Sequence, residues 1–268
     1  MISAMKPATL QRAGFAGIAL AALVIAERAW GTALRDPAML TGWTLFALVL
    51  LLAIYGVKKA LPFLPLGQST RWMHLHSWAG FLAVAAYVMH AGVRLPTGPL
   101  ETLLALSFVL VAASGIAGLA LARLLPPMLR ARGEPILFSR LPGLRRTLAE
   151  RAAALVAPSR ALADHHRLHL AEWLASPDDA LAHLRGSRRP LQRRLEHTEA
   201  LFRYLSPDEL MTARSLIDVI KQKDLLDAHH ALQSALRAWT LVHIPVTGAL
   251  VLLAAAHALT VIAFRGGV

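Results

Sequence analysis

The sequence predicts an all-α integral membrane protein, a helical bundle of about five spans with a helical domain inserted on the cytoplasmic side. Three observations carry this. The chain of 268 residues is 56% apolar and only 16% charged, whereas water-soluble proteins carry more charge. Its apolar residues are gathered into runs close to the ~20 residues a helix needs to cross the hydrocarbon. One long segment, 126–236, breaks that pattern and is polar, Arg-rich and helical in its periodicity. Lipid offers the backbone no hydrogen-bond partner, so the apolar runs are read as helices.

The first span is expected over about 12–30. Its basic start and apolar centre, Ala13 to Ile25, imitate a signal peptide. No A-x-A-like cleavage site follows, so a retained span is expected. The second covers about 41–57 and is closed by Lys58 and Lys59; the third covers about 73–93. The fourth covers about 100–125 and is expected to stop at Pro126 and Pro127, which cannot donate to the helix ladder. The fifth covers about 238–264. The domain boundaries expected are 1–125 for spans one to four, 126–236 for the inserted domain, and 237–268 for the fifth span.

Basic residues set the orientation. Lys58, Lys59 and Arg71 lie between spans two and three, and arginines crowd the segment after span four. Arg35, Arg94 and Arg265 stand alone in the other connections and the tail. The positive-inside rule puts the N-terminus, the second connection and the inserted domain in the cytoplasm. Spans three and five then run in the same direction. The net charge of +12 is read as topogenic arginine facing anionic lipid, not as a nucleic-acid surface. Preference for Ala, Leu and Arg over Ile and Lys points to a bacterial source and hence to a bacterial cytoplasmic (inner) membrane.

In the inserted segment, SRLPGLRRTLAERAAALVA and ALADHHRLHLAEWLA read as amphipathic helices. Ser176-Pro177-Asp178-Asp179 looks like an N-cap with proline at the first helical position. Ser206-Pro207-Asp208-Glu209 looks the same, with Glu209 placed for a capping box. Leu210, Leu216, Ile217, Ile220 and Leu225 suit one buried face of the helix that follows, which runs toward span five.

The chemistry lies in four histidines. His76 and His90 are 14 residues apart in span three, and His243 and His257 are 14 apart in span five. On an α-helix that interval stops about 40° short of four turns and climbs roughly 21 Å. Each pair therefore shares a face, with one histidine near each edge of the bilayer core. Because the two spans are parallel, His76 is expected opposite His243 on the inner side and His90 opposite His257 on the outer side. Ionisable groups inside a membrane are functional by default. Imidazole is an axial ligand of haem iron. Two bis-histidine sites would hold two b-type haems, leave no open coordination position, and relay electrons. There are no cysteines, which excludes disulfides, thiolate-held Fe–S clusters and covalent c-type haem.

Gly80, one turn after His76, and Gly248, just beyond a turn after His243, would make room for a flat macrocycle, with Ala83, Ala86, Ala254 and Ala255. Gly115 and Gly118 would let span four approach the ring; ordinary small-residue packing is the competing reading. Arg71, Arg94, Arg237 and Arg265 sit just beyond the ends of the histidine helices, placed to bind propionates or simply to anchor at the interface. Trp72, Trp78 and Trp239 fit an interfacial aromatic belt. His74 is about 160° from His90 around the helix, so His76 is the better ligand. His229 continues the 14-residue interval but lies in a polar sequence, and a third site there is not expected. His165, His166 and His169 form H-H-x-x-H; His166 and His169 share a helical face at metal-ligand spacing, but nothing completes the site and a solvated face is expected.

The repeated H-x13-H motif resembles the di-haem cytochrome b group, over spans three to five. Cytochrome b of the bc complexes and the ferric reductase/NADPH oxidase membrane domain hold two haems between two parallel helices. In the latter, spans three and five carry the histidines. The resemblance implies His76, His90, His243 and His257 as ligands of two haem b irons. The chain departs from the oxidase-like pattern in lacking a sixth span, a flavin- or nicotinamide-binding domain and a Gly-rich fingerprint. It departs from the bc type in lacking a P-E-W-type loop. Its electron donor and acceptor are then a redox partner protein or membrane quinone, with the basic inserted domain docking another subunit. Any oxidoreductase activity would belong to that assembly. The competing readings are a haem-free transporter, whose histidines would carry protons or a metal ion, and a membrane scaffold. The first would need acidic partners inside the spans, and these are almost absent: Glu27 is near an end.

Overall fold

The computed structural model describes residues 7–32, 37–60, 68–92, 94–132, 134 and 136–265. Every regular element among them is helical. The main helices are α1 (Pro7–Thr32), α2 (Pro37–Ala60), α3 (Ser69–Ala91), α4 (Pro99–Arg130), α5 (Leu141–Val156), α6 (Arg160–His165), α7 (Ala171–Ala175), α8 (Ala180–Leu184), α9 (Arg189–Glu199) and α10 (Pro207–Arg265). The chain divides into two compact units, one of residues 1–119 with 239–268 and one of residues 120–238. Arg35 lies outside the described residues, as do the side chains of Lys59 and Arg265.

In the first unit, Val49 of α2, Ala83 of α3, Phe108 of α4 and Leu250 of α10 meet in one small apolar core. Tyr87 stacks on Phe108 within it, ring centres 4.2 Å apart. Around this core the outward residues are large and apolar: Ile54, Phe81, Leu106, Leu110, Leu252 and Phe264 are all exposed. So extensive an apolar surface is costly in water and matches contact with lipid. Three helices carry stretches long and apolar enough to cross a membrane: Pro37–Lys58, Pro99–Arg130 and Pro207–Phe264. This is a helical membrane protein. The third predicted span, in α3, falls short of that hydropathy, because His74, His76 and His90 dilute its apolar run.

The second unit is built on a separate core. Leu141, Leu148 and Ala152 of α5, Leu162 of α6, and Trp173 and Leu174 of α7 pack with Leu216, Val219 and Ile220 of α10. Of the expected buried face, Leu216, Ile217 and Ile220 are buried while Leu210 and Leu225 are half-buried. The capping box is present: Ser206 N donates to Glu209 Oε2 at 2.9 Å, and Glu209 N donates to Ser206 Oγ at 3.4 Å. These bonds satisfy donors that a helix start leaves orphaned.

Three sequence expectations are corrected. α4 does not stop at Pro126 and Pro127 but runs on to Arg130. A proline loses its N–H and keeps its carbonyl, and Pro127 O accepts from Ala131 N at 3.0 Å. Ser176 does not open a helix; it closes α7, and α8 begins only at Ala180. Between them Asp179 takes a left-handed φ of 55°, and Arg194 holds the carboxylates of Asp178 and Asp179 at 2.9 and 2.6 Å. The stretch read as one amphipathic helix over 161–175 is broken by a π-helical turn, His166–Leu170.

Candidate functional site

The first unit brings the four span histidines together in two pairs. The rings of His76 on α3 and His243 on α10 have centres 6.4 Å apart, their planes at 73°. Those of His90 and His257, on the same two helices, are 6.5 Å apart at 78°. The near-equality follows from the shared interval: equal spacing on two parallel helices carries one register to the other.

Each pair has one histidine anchored by its Nδ1. Ser114 Oγ of α4 lies 2.7 Å from His243 Nδ1 and donates to Val111 O at 2.9 Å. With its proton on Val111 O, the hydroxyl has lone pairs left to accept from His243 Nδ1–H. His90 Nδ1 lies 3.0 Å from Ala38 O, and a carbonyl can only accept. His90 therefore carries its proton on Nδ1 and presents a bare Nε2 lone pair, and the Ser114 contact suits the same tautomer at His243. Thr41 Oγ1, buried in α2, is a further 3.3 Å neighbour of His90 Nδ1. His76 Nδ1 is buried without a hydrogen bond of proper geometry, although the Leu52 backbone approaches the ring. The Tyr55 ring lies beside it at 5.0 Å.

Glycines set how closely helices approach these rings. A Cβ on Gly42 would stand 2.8 Å from His90 Cε1, closer than packed atoms come. A Cβ on Gly118 would fall inside the indole of Trp239. That indole stacks on His243, ring centres 5.2 Å apart at 22°, and donates from Nε1 to Ser114 O at 2.7 Å. The sequence placed Trp239 in an interfacial belt and missed this role. The Gly118–Trp239 match answers the small-residue question for Gly118. Gly115 merely comes within 3.9 Å of His243, and Gly80 and Gly248 have no such neighbour.

The predicted propionate partners are scattered. Arg71 and Arg94 are exposed. Arg237 belongs to the second unit, where its guanidinium lies 3.8 Å over the Phe138 ring. Trp72 receives Lys58 Nζ over its face at 5.3 Å. His74 is exposed, on a different face from His76. His229 is not on a polar surface: it is fully buried in the second unit, with neither ring nitrogen hydrogen-bonded.

No protein-family model, curated protein or solved structure matches this chain. The functional reading therefore stands on the site alone.

Proposed function

We propose that the chain carries electrons across a membrane through two b-type haems, each held by one histidine pair. The repeated pairing carries the reading: His76 faces His243 and His90 faces His257 on the same two helices, at separations that suit a shared ion. An imidazole nitrogen sits about 2.0 Å from a first-row metal ion and about 1.1 Å from its own ring centre, so two rings sharing one ion have centres about 6.2 Å apart. The observed 6.4 and 6.5 Å agree with that. Edge-to-face packing alone also reaches such separations, as His169 and His197 do at 6.3 Å; what sets the span histidines apart is that the pairing recurs on the same two helices at the same interval.

The surrounding chemistry fits the group. His90 and His243 offer bare Nε2 atoms, oriented through Nδ1 in the manner that metal-bound imidazoles require. Haem supplies a one-electron couple, and two protein ligands close its coordination sphere to oxygen. The protein's part is to hold the rings rigid and to keep the region between the pairs apolar. The stacked Tyr87 and Phe108 belong to that core. Five spans, with α1 and α3 joining the three clearly apolar helices, place one pair toward each membrane face. The likeness to di-haem cytochrome b over spans three to five accords with this. The donor and acceptor belong to quinone or a redox partner protein on opposite faces of a bacterial inner membrane. The basic inserted domain, on the cytoplasmic side, docks the partner or another subunit.

Expression with haem supplied, followed by a reduced-minus-oxidised spectrum and haem quantified per chain, tests this. We expect a b-type α band and two haems per chain, with His76→Ala and His257→Ala each losing one. A folded chain without haem, alongside a control cytochrome that loads normally, would replace this reading by the transporter or the scaffold.

A further inference from the structure

The second unit holds a cluster of basic side chains that the electron-transfer reading does not use. His165, His169, Leu170, Asp179, Pro190, Arg193, Arg194 and His197 line a cavity of about 360 Å³. Its wall includes the π-helical turn, in which Ala171 N donates to His166 O, five residues back. Such turns are rare and are frequent at functional sites. Here the turn sits directly beside the three imidazoles. The His165 and His169 rings are 5.2 Å apart, and those of His169 and His197 are 6.3 Å apart.

A count of charge decides what the cavity would hold. Arg194 is committed to Asp178 and Asp179 and lies 4.5 Å over the Trp173 ring. Asp179, the one acid among the described lining residues, is thereby neutralised. Thr198 Oγ1 donates to Arg194 O at 2.9 Å, so it accepts from His165 Nε2 at 3.2 Å, which fixes that ring in place. What remains is Arg193, with no ion pair among the described residues, His197 one turn further along α9, and His169 facing it. Among the described residues no group of His, Cys, Asp or Glu is arranged to hold a metal ion. Excess guanidinium and imidazole donors, with no free acid, suit a multiply charged oxyanion.

We propose that this cavity binds a phosphate group, held by Arg193, His169 and His197, carried either by a small phosphate ester or by an anionic lipid headgroup. The site is independent of the haem reading and stands or falls separately.

The test is calorimetric titration of the full chain, in a non-ionic detergent, with inorganic phosphate at constant ionic strength. Saturable binding is expected, weakened about tenfold by Arg193→Gln and again by His197→Gln, since each removes one hydrogen-bond donor to the phosphate oxygens. His74→Gln, on an exposed position of α3, should bind as the parent does. Both site residues are exposed, so unchanged melting temperatures should accompany the loss. Competition separates the sources. Short-chain phosphatidic acid displacing phosphate far better than glycerol phosphate identifies a lipid headgroup; equal displacement identifies a soluble ester. Absence of saturable binding, or binding in Arg193→Gln and His197→Gln equal to the parent, overturns the proposal.

Discussion

The hydroxyl of Ser114 lies 2.7 Å from Nδ1 of His243 and ties that ring to α4. With Ser114 donating to Val111 O, its lone pairs are left to accept from the imidazole. The opposite pair reaches the same end by another route, with the Ala38 carbonyl accepting from His90. One site is thus tied to α4 and the other to α2. Two histidine pairs are held by different helices and different acceptors, which gives each pair its own sensitivity to mutation.

Replacing Ser114 by alanine leaves the His243 Nδ1–H without its acceptor and frees the ring to turn. Loss of such an orienting partner typically costs 10–100-fold, in order of magnitude, in metal affinity. We expect that loss at the His76–His243 site alone, read by titrating limiting haem into the purified chain. Ser114→Thr, which retains a hydroxyl, should bind close to the parent. Equal weakening of both sites would disprove this positioning role.

The two close-approach glycines should separate the sites in the same way. Gly118→Ala puts a methyl group where the Trp239 indole lies, and Gly42→Ala puts one 2.8 Å from His90 Cε1. Overpacking of this kind costs about 1–3 kcal/mol. Gly118→Ala should lower the melting temperature and impair the His76–His243 site, and Gly42→Ala should impair the His90–His257 site. Adding Trp239→Phe to Gly118→Ala relieves the clash and should recover part of the melting temperature; no recovery would mean the glycine serves something other than the indole.

The histidine pairs were legible in the sequence because equal intervals on two helices are pure helix geometry, and the basic residues around the spans gave both helices one direction. The residues that orient the rings were not. Ser114 is 129 positions from His243, and Ala38 is 52 positions from His90, so only tertiary packing reveals them. Trp239 matched a generic interfacial pattern and hid a specific contact. His229 looked polar because its neighbours in the chain are polar, yet the opposite face of α10 is a core. The π-helical turn left no trace in composition, since its residues satisfy an amphipathic α-helical pattern equally well.

Acid should destabilise the inserted unit through its histidines. Burial pushes His165 and His166 below the ordinary value of 6.5, and His165 is pushed further by the neighbouring His169, His197 and His166 rings. Burial also lowers His183, although Asp224 beside it pulls the other way. A histidine whose folded pKa is depressed takes up its proton more readily when unfolded. Its stability contribution is complete above 6.5 and falls as pH drops through and below that value. The slope is at most about 1.4 kcal/mol per pH unit for each such group. Melting temperatures measured from neutral to mildly acid pH should fall, and His183→Gln should flatten the profile. A profile that rises toward acid would contradict the assignment.

An ion cluster is buried in the second unit. Lys223 is fully buried, with Nζ 2.5 Å from Asp227 Oδ2, 2.9 Å from Ser176 O and 4.6 Å from the centre of the Trp173 ring. Arg145 Nη2 approaches the other oxygen of Asp227 at 3.6 Å, both side chains nearly enclosed. One carboxylate therefore serves two cations. Breaking a buried pair from one side is expensive because the partner's charge stays behind without water, typically about 3–5 kcal/mol. The count then ranks the substitutions. Asp227→Asn strands both Lys223 and Arg145 and should reach that full cost. Lys223→Met leaves the Arg145–Asp227 pair in place, fills the same space with a thioether chain against Trp173, and should cost clearly less. Denaturant or thermal unfolding of the full chain in detergent reads the difference. A larger loss in Lys223→Met than in Asp227→Asn would mean that the lysine's bond to Ser176 O, and the chain path it pins between α7 and α8, outweighs the shared carboxylate.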